Sequence, residues 1–396
     1  MGIKLYHQCG HNAKWNRDSF EKDKVGEGLI LSPVHQDRNN IVDLPVALKN
    51  KSIFDPQFYL PNSLKPKFKT YDFFPNTIIG EQGFSTIDFS SVAIESANRC
   101  VGFQLEQRFE KVIIPARFFE QLNSRYTEQQ ADLFVVPFLK ALRSKGVIGS
   151  KDIYLTVPLT SSMVSSKEYI ENILNWITSY PEIDGIYFIC QHDRKSKQIK
   201  EAGFLIEFMK VIKSTYDADL KVLVGYTNTE GMMYTVCGEI DLTIGAFENT
   251  RIFSLDKFLV SDEEKRGPKA RIYLPKLLNW IRFEEAKLIR DAVPEIWQKI
   301  YTPTNYSEEA FELTKEPTFQ TPALYKHYFK AYAEQIKVLS QVGKNTRFDI
   351  LDLWISEAKH NHSLLSQIPF NLDNHGNGEH LDHWSNALNL FKKANP

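Results

Sequence analysis

Between Ile183 and Ile252 one pattern of apolar and polar positions recurs three times. Asp184-Gly-Ile-Tyr-Phe-Ile-Cys190 is a short, nearly all-apolar run that ends in the polar cluster Gln191-His192-Asp193. Lys221-Val-Leu-Val-Gly225 repeats it and ends in Tyr226-Thr-Asn-Thr-Glu-Gly231. Asp241-Leu-Thr-Ile-Gly-Ala246 repeats it again and ends in Phe247-Glu-Asn-Thr-Arg251. Amphipathic stretches separate the runs. A strand apolar on both faces and followed by a helix is the mark of a parallel sheet covered by helices. The polar residues gather where each strand gives way to its loop, and that is where parallel α/β folds place their ligand sites.

The same reading extends toward the N-terminus. Gly28-Leu-Ile-Leu-Ser-Pro33, Ser52–Leu60, Lys111–Arg117 and Asp152–Pro158 are further strand candidates, and Arg271–Lys276 is a last one. Helices are expected over 90–109, from Thr127 to Ser144, and after Ser166, where Ile170, Ile173, Leu174 and Ile177 give an i, i+3, i+4, i+7 face. Others are expected over 198–216 and 231–239. Eight strands alternating with helices within roughly 250 residues predict a (β/α)8 barrel of the TIM type. An open doubly wound sheet fits less well, because no Gly-rich fingerprint follows the first strand. Residues 1–27 read as a polar N-terminal arm, 28–282 as the barrel and 283–396 as a helical C-terminal extension. The stretch from Leu60 to Gly83 holds Pro61, Pro66 and Pro75 and reads as a long loop. Phe68, Tyr71, Phe73 and Phe74 predict that this loop is packed.

Composition narrows the classes of function. Of 396 residues, 42% are hydrophobic, which supplies an ample core and argues against disorder. Lys+Arg 48 against Asp+Glu 49 leaves a net charge of -1, so no global basic field draws the chain to nucleic acid or acidic membrane. The four cysteines (Cys9, Cys100, Cys190, Cys237) are dispersed and lack the spacing of a zinc site or disulfide framework. No apolar run approaches the ~20 residues of a membrane span, and Met1-Gly-Ile-Lys-Leu-Tyr-His7 lacks the pattern of a signal peptide. A cytoplasmic location is the expectation.

The barrel reading places a set of polar residues around one mouth: His35, Asp37, Asp55, Gln57, Arg117, Thr156, Gln191, His192, Tyr226, Glu230, Glu248, Arg251 and Lys276. Asp55 is the most informative, because a carboxylate within Ile-Phe-Asp-Pro-Gln-Phe is costly to bury unless it is paired or functional. An Asp–Pro turn with the carboxylate capping a loop is the structural alternative. Glu230 and Glu248 are candidate second carboxylates, as glycosidic hydrolysis requires, and His192 a candidate general acid or base. Arg117 and Lys276 suit a phosphate or carboxylate. Gln57, Gln191 and Tyr226 suit recognition by hydrogen bonds, and Glu248 and Arg251 either line the site or pair with each other. His380-Leu-Asp-His383 has helical spacing, but no third ligand follows at motif spacing, so neither a metal nor a cofactor is expected.

These residues lead to a barrel enzyme using acid/base chemistry on a polar nucleoside- or sugar-like substrate, as a hydrolase or a glycosyl or base transferase. Asp55, His192 and Glu230 are the candidate catalytic groups. The rival is a non-catalytic barrel that acts as a recognition module for a protein or for nucleic acid. Its candidate surfaces are the C-terminal helices, which also suit a homo-oligomer, and the strip Lys65, Lys67, Lys69 with Phe68 and Tyr71.

Overall fold

The computed structural model describes residues 2–80, 86–192, 197–260, 267–368 and 372–395. Eight parallel strands form a nearly closed barrel: β1 (Leu5–Gln8), β2 (Gly28–Leu31), β3 (Ile53–Phe54), β4 (Val112–Ile114), β5 (Ile153–Thr160), β6 (Gly185–Gln191), β7 (Lys221–Val224) and β8 (Asp241–Gly245). The order is β3-β2-β1-β8-β7-β6-β5-β4, so β1 pairs with both β2 and β8. Two backbone bonds bracket the seam between β3 and β4. Glu110 N donates to Ser52 O at 2.8 Å, and Phe118 N donates to Tyr59 O at 3.0 Å.

The fold is the expected (β/α)8 barrel, with two of its elements exchanged. The segment read as an arm supplies β1, fully buried between β2 and β8, and a helix, Ala13–Asp23. Arg271–Lys276, read as the eighth barrel strand, instead contributes β9 (Arg271–Leu274), which pairs antiparallel with β10 (Asn279–Arg282) in a separate hairpin. Their turn places Leu278 at φ 49°, a left-handed position without the Asn-Gly or Asp-Gly that marks such turns in a sequence.

Close packing inside the barrel has local causes. A Cβ at Gly225 would lie 2.5 Å from the Tyr187 ring, so glycine at the end of β7 leaves room for that aromatic. At Gly28 a Cβ would lie 1.6 Å from the Lys51 carbonyl oxygen, which ties the start of β2 to the strand beside it. The loop after β3 is packed as expected: Phe68, Tyr71, Phe73 and Phe74 are buried, and Phe68 stacks on Phe74 at 4.2 Å.

The C-terminal helices Pro322–Ser340, Lys344–Leu365 and His380–Ala394 continue the barrel core through Tyr328, Tyr332, Leu351 and Trp384. The hairpin and the helices Phe283–Ala292, Pro294–Ile300 and Asn305–Glu312 form a second apolar cluster. Arg347 is buried and joins the C-terminal helices to the barrel loop between β7 and β8. Its nitrogens donate to the carbonyls of Leu339, Val342, Thr235 and Gly238, and it pairs with Glu239. Among the described residues, no helix is long and apolar enough to cross a membrane.

Candidate functional site

The ends of β3 and β7 bring together the most unusual polar residues of the chain. Asp55 follows β3 directly, and its backbone N–H donates to Leu31 O at 2.9 Å. Its side chain is fully buried. Oδ1 accepts from Gln57 N at 3.0 Å, and Oδ2 accepts from the Tyr59 hydroxyl at 3.0 Å. Burial pushes the carboxyl up to about 7, against the pull of those two hydrogen bonds and of the nearby Lys257 ammonium. Asp55 therefore carries a proton part of the time near neutral pH.

Gln57 and Tyr226 complete the arrangement. Gln57 Nε2 donates to the Tyr226 hydroxyl at 3.0 Å. Both residues are buried, and both sit at φ 55°, a left-handed conformation that costs a side-chain-bearing residue of order 1–3 kcal/mol. Two such positions joined by a hydrogen bond at one strand-end cluster mark a place where the fold holds strain. The Tyr187 hydroxyl donates to Gln8 Oε1 at 3.3 Å, and the Lys257 ammonium lies 3.7 Å above the Tyr226 ring. Burial raises the Tyr59, Tyr187 and Tyr226 hydroxyls well above the usual phenol range, so they stay neutral donors. Burial, with Lys257 and Lys67 beside it, lowers the His35 imidazole to about 3 and keeps it neutral.

Aromatic rings cover this cluster. Phe253 packs edge-on against Tyr59 and Tyr226, each at 5.2 Å, and Phe258 packs against Tyr59 at 5.4 Å. The Ser63 hydroxyl donates to Phe258 O at 2.6 Å, tying the loop after β3 to the segment Leu255–Phe258. Gln191 Oε1 accepts from Leu255 N at 3.1 Å, so Gln191 holds this cover in place.

The other candidates fall elsewhere. Glu230 and Arg251 belong to a neighbouring cluster on the loops after β7 and β8. Glu230 is buried, its Oε1 accepts from Asn228 N at 2.9 Å, and burial pushes its carboxyl up to about 7. The expectation that Glu248 pairs with Arg251 is replaced by an ion pair with Lys197 at 2.6 Å. His192 packs its ring 6.0 Å from Phe204, and Asp193 lies outside the described residues. Arg117 is half-buried with its guanidinium 5.2 Å from the Phe119 ring, and burial lowers its pKa. Lys276 lies in the hairpin turn, exposed, beside a cleft of 600 Å³ shared with Thr302, Asn305 and Glu334. It is not a barrel strand end, because its strand is not in the barrel. Asp37 caps the helix Arg38–Val42 by accepting from Asn40 N.

Phe68 and Tyr71 are buried and do not present faces on which bases stack. His380 is buried, with Nε2 3.3 Å from Leu278 O and its ring against Trp384.

Sequence reasoning missed Gln8, Tyr59, Tyr187 and Lys257. Tyr187 carried a usable signal, since it is a hydroxyl-bearing residue inside an otherwise apolar strand run, and Tyr59 stands two residues beyond Gln57 in the run that Asp55 interrupts. Lys257 carried none.

No protein-family model matches the chain, and no curated protein is significantly similar to it. A solved structure of a mutant O-GlcNAc hydrolase from Thermobaculum terrenum is similar at 12% identity, covering 100% of this chain and 94% of that chain with a TM-score of 0.33. A likeness at that level carries no argument about chemistry.

Proposed function

We propose that the C-terminal mouth of the barrel is an active site for acid/base chemistry on a polar, nucleoside- or sugar-like substrate, with Asp55 as the general acid or base. One observation carries this reading. A fully buried carboxyl stands at a strand end, raised to about 7 by burial while hydrogen-bonded to Gln57 and Tyr59. A group that titrates near the working pH both takes and returns a proton with little driving force lost. Strand-end residues at this face supply the chemistry of barrel enzymes.

The remaining residues take roles in the same reading. Gln57 and Tyr226 read substrate hydroxyls or ring nitrogens, since their amide and phenol groups already face each other beside Asp55. The Tyr59 and Phe253 rings offer apolar faces to a sugar or base. Glu230, another buried carboxyl raised to about 7, stands in the neighbouring cluster after β7 and takes the role of the second carboxyl in glycosyl cleavage. Substrate reaches Asp55 only when the Phe253–Phe258 cover moves aside, because Asp55, Gln57 and Tyr226 are all buried beneath it.

A thermal-shift screen of nucleosides, nucleotides, sugars and sugar phosphates tests the proposal. A bound ligand raises the melting temperature by mass action. The expected result is a saturable shift that Asp55→Asn or Tyr226→Phe diminishes in a folded protein. A shift unchanged by both substitutions would remove the ligand from this mouth and the reading with it.

A further inference from the structure

Beside the Asp55 cluster lies a group of side chains that the acid/base reading leaves unexplained. Arg251 stands after β8, only 9% exposed. Its guanidinium carbon lies 4.0 Å from the centre of the Trp280 ring and 5.4 Å from that of Tyr328, and the two rings are themselves 4.6 Å apart. Trp280 comes from β10 and Tyr328 from the helix Pro322–Ser340, so three separate parts of the chain converge.

Each of the three side chains ends in a buried polar atom with no hydrogen-bond partner among the described residues: Arg251 Nε and Nη1, Trp280 Nε1 and the Tyr328 hydroxyl. Of these four atoms the three nitrogens are pure donors, and the hydroxyl can donate as well. Buried donors are ordinarily satisfied, and a buried guanidinium keeps its charge and calls for an anionic partner. Among the described residues, the carboxylates whose charge acts on Arg251 are Glu248 and Glu230, and each holds another partner. Glu248 pairs with Lys197 at 2.6 Å, and Glu230 accepts from the Asn228 backbone at 2.9 Å.

We infer that Arg251, Trp280 and Tyr328 form a binding site for an anionic oxygen group, a carboxylate or a phosphate. The guanidinium supplies the charge and the indole and phenol supply further donors. The stacking of Arg251 on Trp280 fixes the plane in which the guanidinium presents its N–H groups. The inference does not depend on Asp55 being catalytic. If both hold, the substrate of the mouth carries a negative charge.

The test uses the full chain titrated with inorganic phosphate and with acetate, each against chloride at matched ionic strength. Melting temperature and tryptophan fluorescence are the two readouts. At least one anion is expected to give a saturable stabilisation with a change in emission. A response to phosphate alone assigns a phosphate, and a response to acetate assigns a carboxylate. Arg251→Met is expected to weaken that binding at least about 30-fold, as loss of a buried charged partner does, and to melt no lower than wild type without anion, because it removes a buried charge whose Nε and Nη1 have no hydrogen-bond partner among the described residues. Arg251→Lys is expected to recover only part of the affinity. Asp55→Asn keeps the response, which separates this inference from the acid/base proposal. No saturable response to either anion, or an equal response in Arg251→Met, would overturn it. An Arg251→Met protein that melts well below wild type would also overturn it, since that result assigns Arg251 a structural ion pair.

Discussion

Replacing Asp55 by asparagine tests the burial argument without any knowledge of the substrate. The carboxyl titrates at about 7 in the folded chain, against an ordinary value of 3.8. Folding therefore binds the protonated form more tightly and opposes the ionised one. The group disfavours the folded state as pH rises from the unfolded value through 7, and the disfavour is absent below 3.8. At 1.36 kcal/mol per tenfold, the full difference is about 4 kcal/mol at pH 8 and about 2 kcal/mol at pH 5. Asparagine has no such titration. It keeps one acceptor for Gln57 N or the Tyr59 hydroxyl and disturbs the other contact, at roughly 1 kcal/mol. The expected outcome is that Asp55→Asn gains about 2–3 kcal/mol relative to wild type between pH 5 and pH 8. Urea denaturation at the two pH values measures this through the midpoint, with the slope unchanged. The comparison between variant and wild type cancels the other raised carboxyls, Glu230 and Asp241, which are common to both. A difference that does not vary with pH would refute the reasoning. A variant that loses ground at pH 8 would show that Asp55 is ionised and paired instead.

Two further expectations concern the frame that holds the mouth. Arg347→Ala leaves four backbone carbonyls and Glu239 without their shared donor at a buried position, and should lower stability by roughly 3–5 kcal/mol in urea melts. Gly28→Ala drives a methyl into the Lys51 carbonyl, a backbone atom that cannot rotate away, so the yield of folded protein should collapse. Normal expression and melting of that variant would contradict the β2–β3 packing described above.

The sequence carried the barrel because most of its strands are short apolar runs followed by a helical stretch. It hid β1 because Leu5-Tyr-His-Gln is only four residues long and three of the four carry polar groups, yet all four are buried. Tyr6 and His7 find partners inside the fold. The Tyr6 hydroxyl donates to Glu110 and accepts from Lys111, and His7 Nε2 lies 3.0 Å from Val25 O. Hydropathy alone reads such a segment as surface. Arg271–Leu274 misled in the opposite direction. Its Arg-Ile-Tyr-Leu pattern is that of a barrel strand, and the hairpin turn at Leu278 has no glycine or asparagine to announce it.

The site shows the same division. Asp55, Gln57 and Tyr226 were legible as polar residues where apolar runs end, and the structure joins them. Arg251 was legible as a cation at a strand end, but its contacts Trp280 and Tyr328 lie in elements that only the folded chain brings near. Lys257 over the Tyr226 ring is set by the course of the segment after β8, which no local pattern encodes.

The central claim is that Asp55 performs proton transfer at the barrel mouth. Its most direct test is turnover of a panel of chromogenic aryl glycosides and nucleosides at pH 7 by wild type and by Asp55→Asn, with folding of the variant checked by circular dichroism. Wild type should release the leaving group from at least one member of the panel, and the variant should be slower by about 10²–10⁴-fold. A substrate turned over equally by both proteins would contradict the claim and move the chemistry away from Asp55.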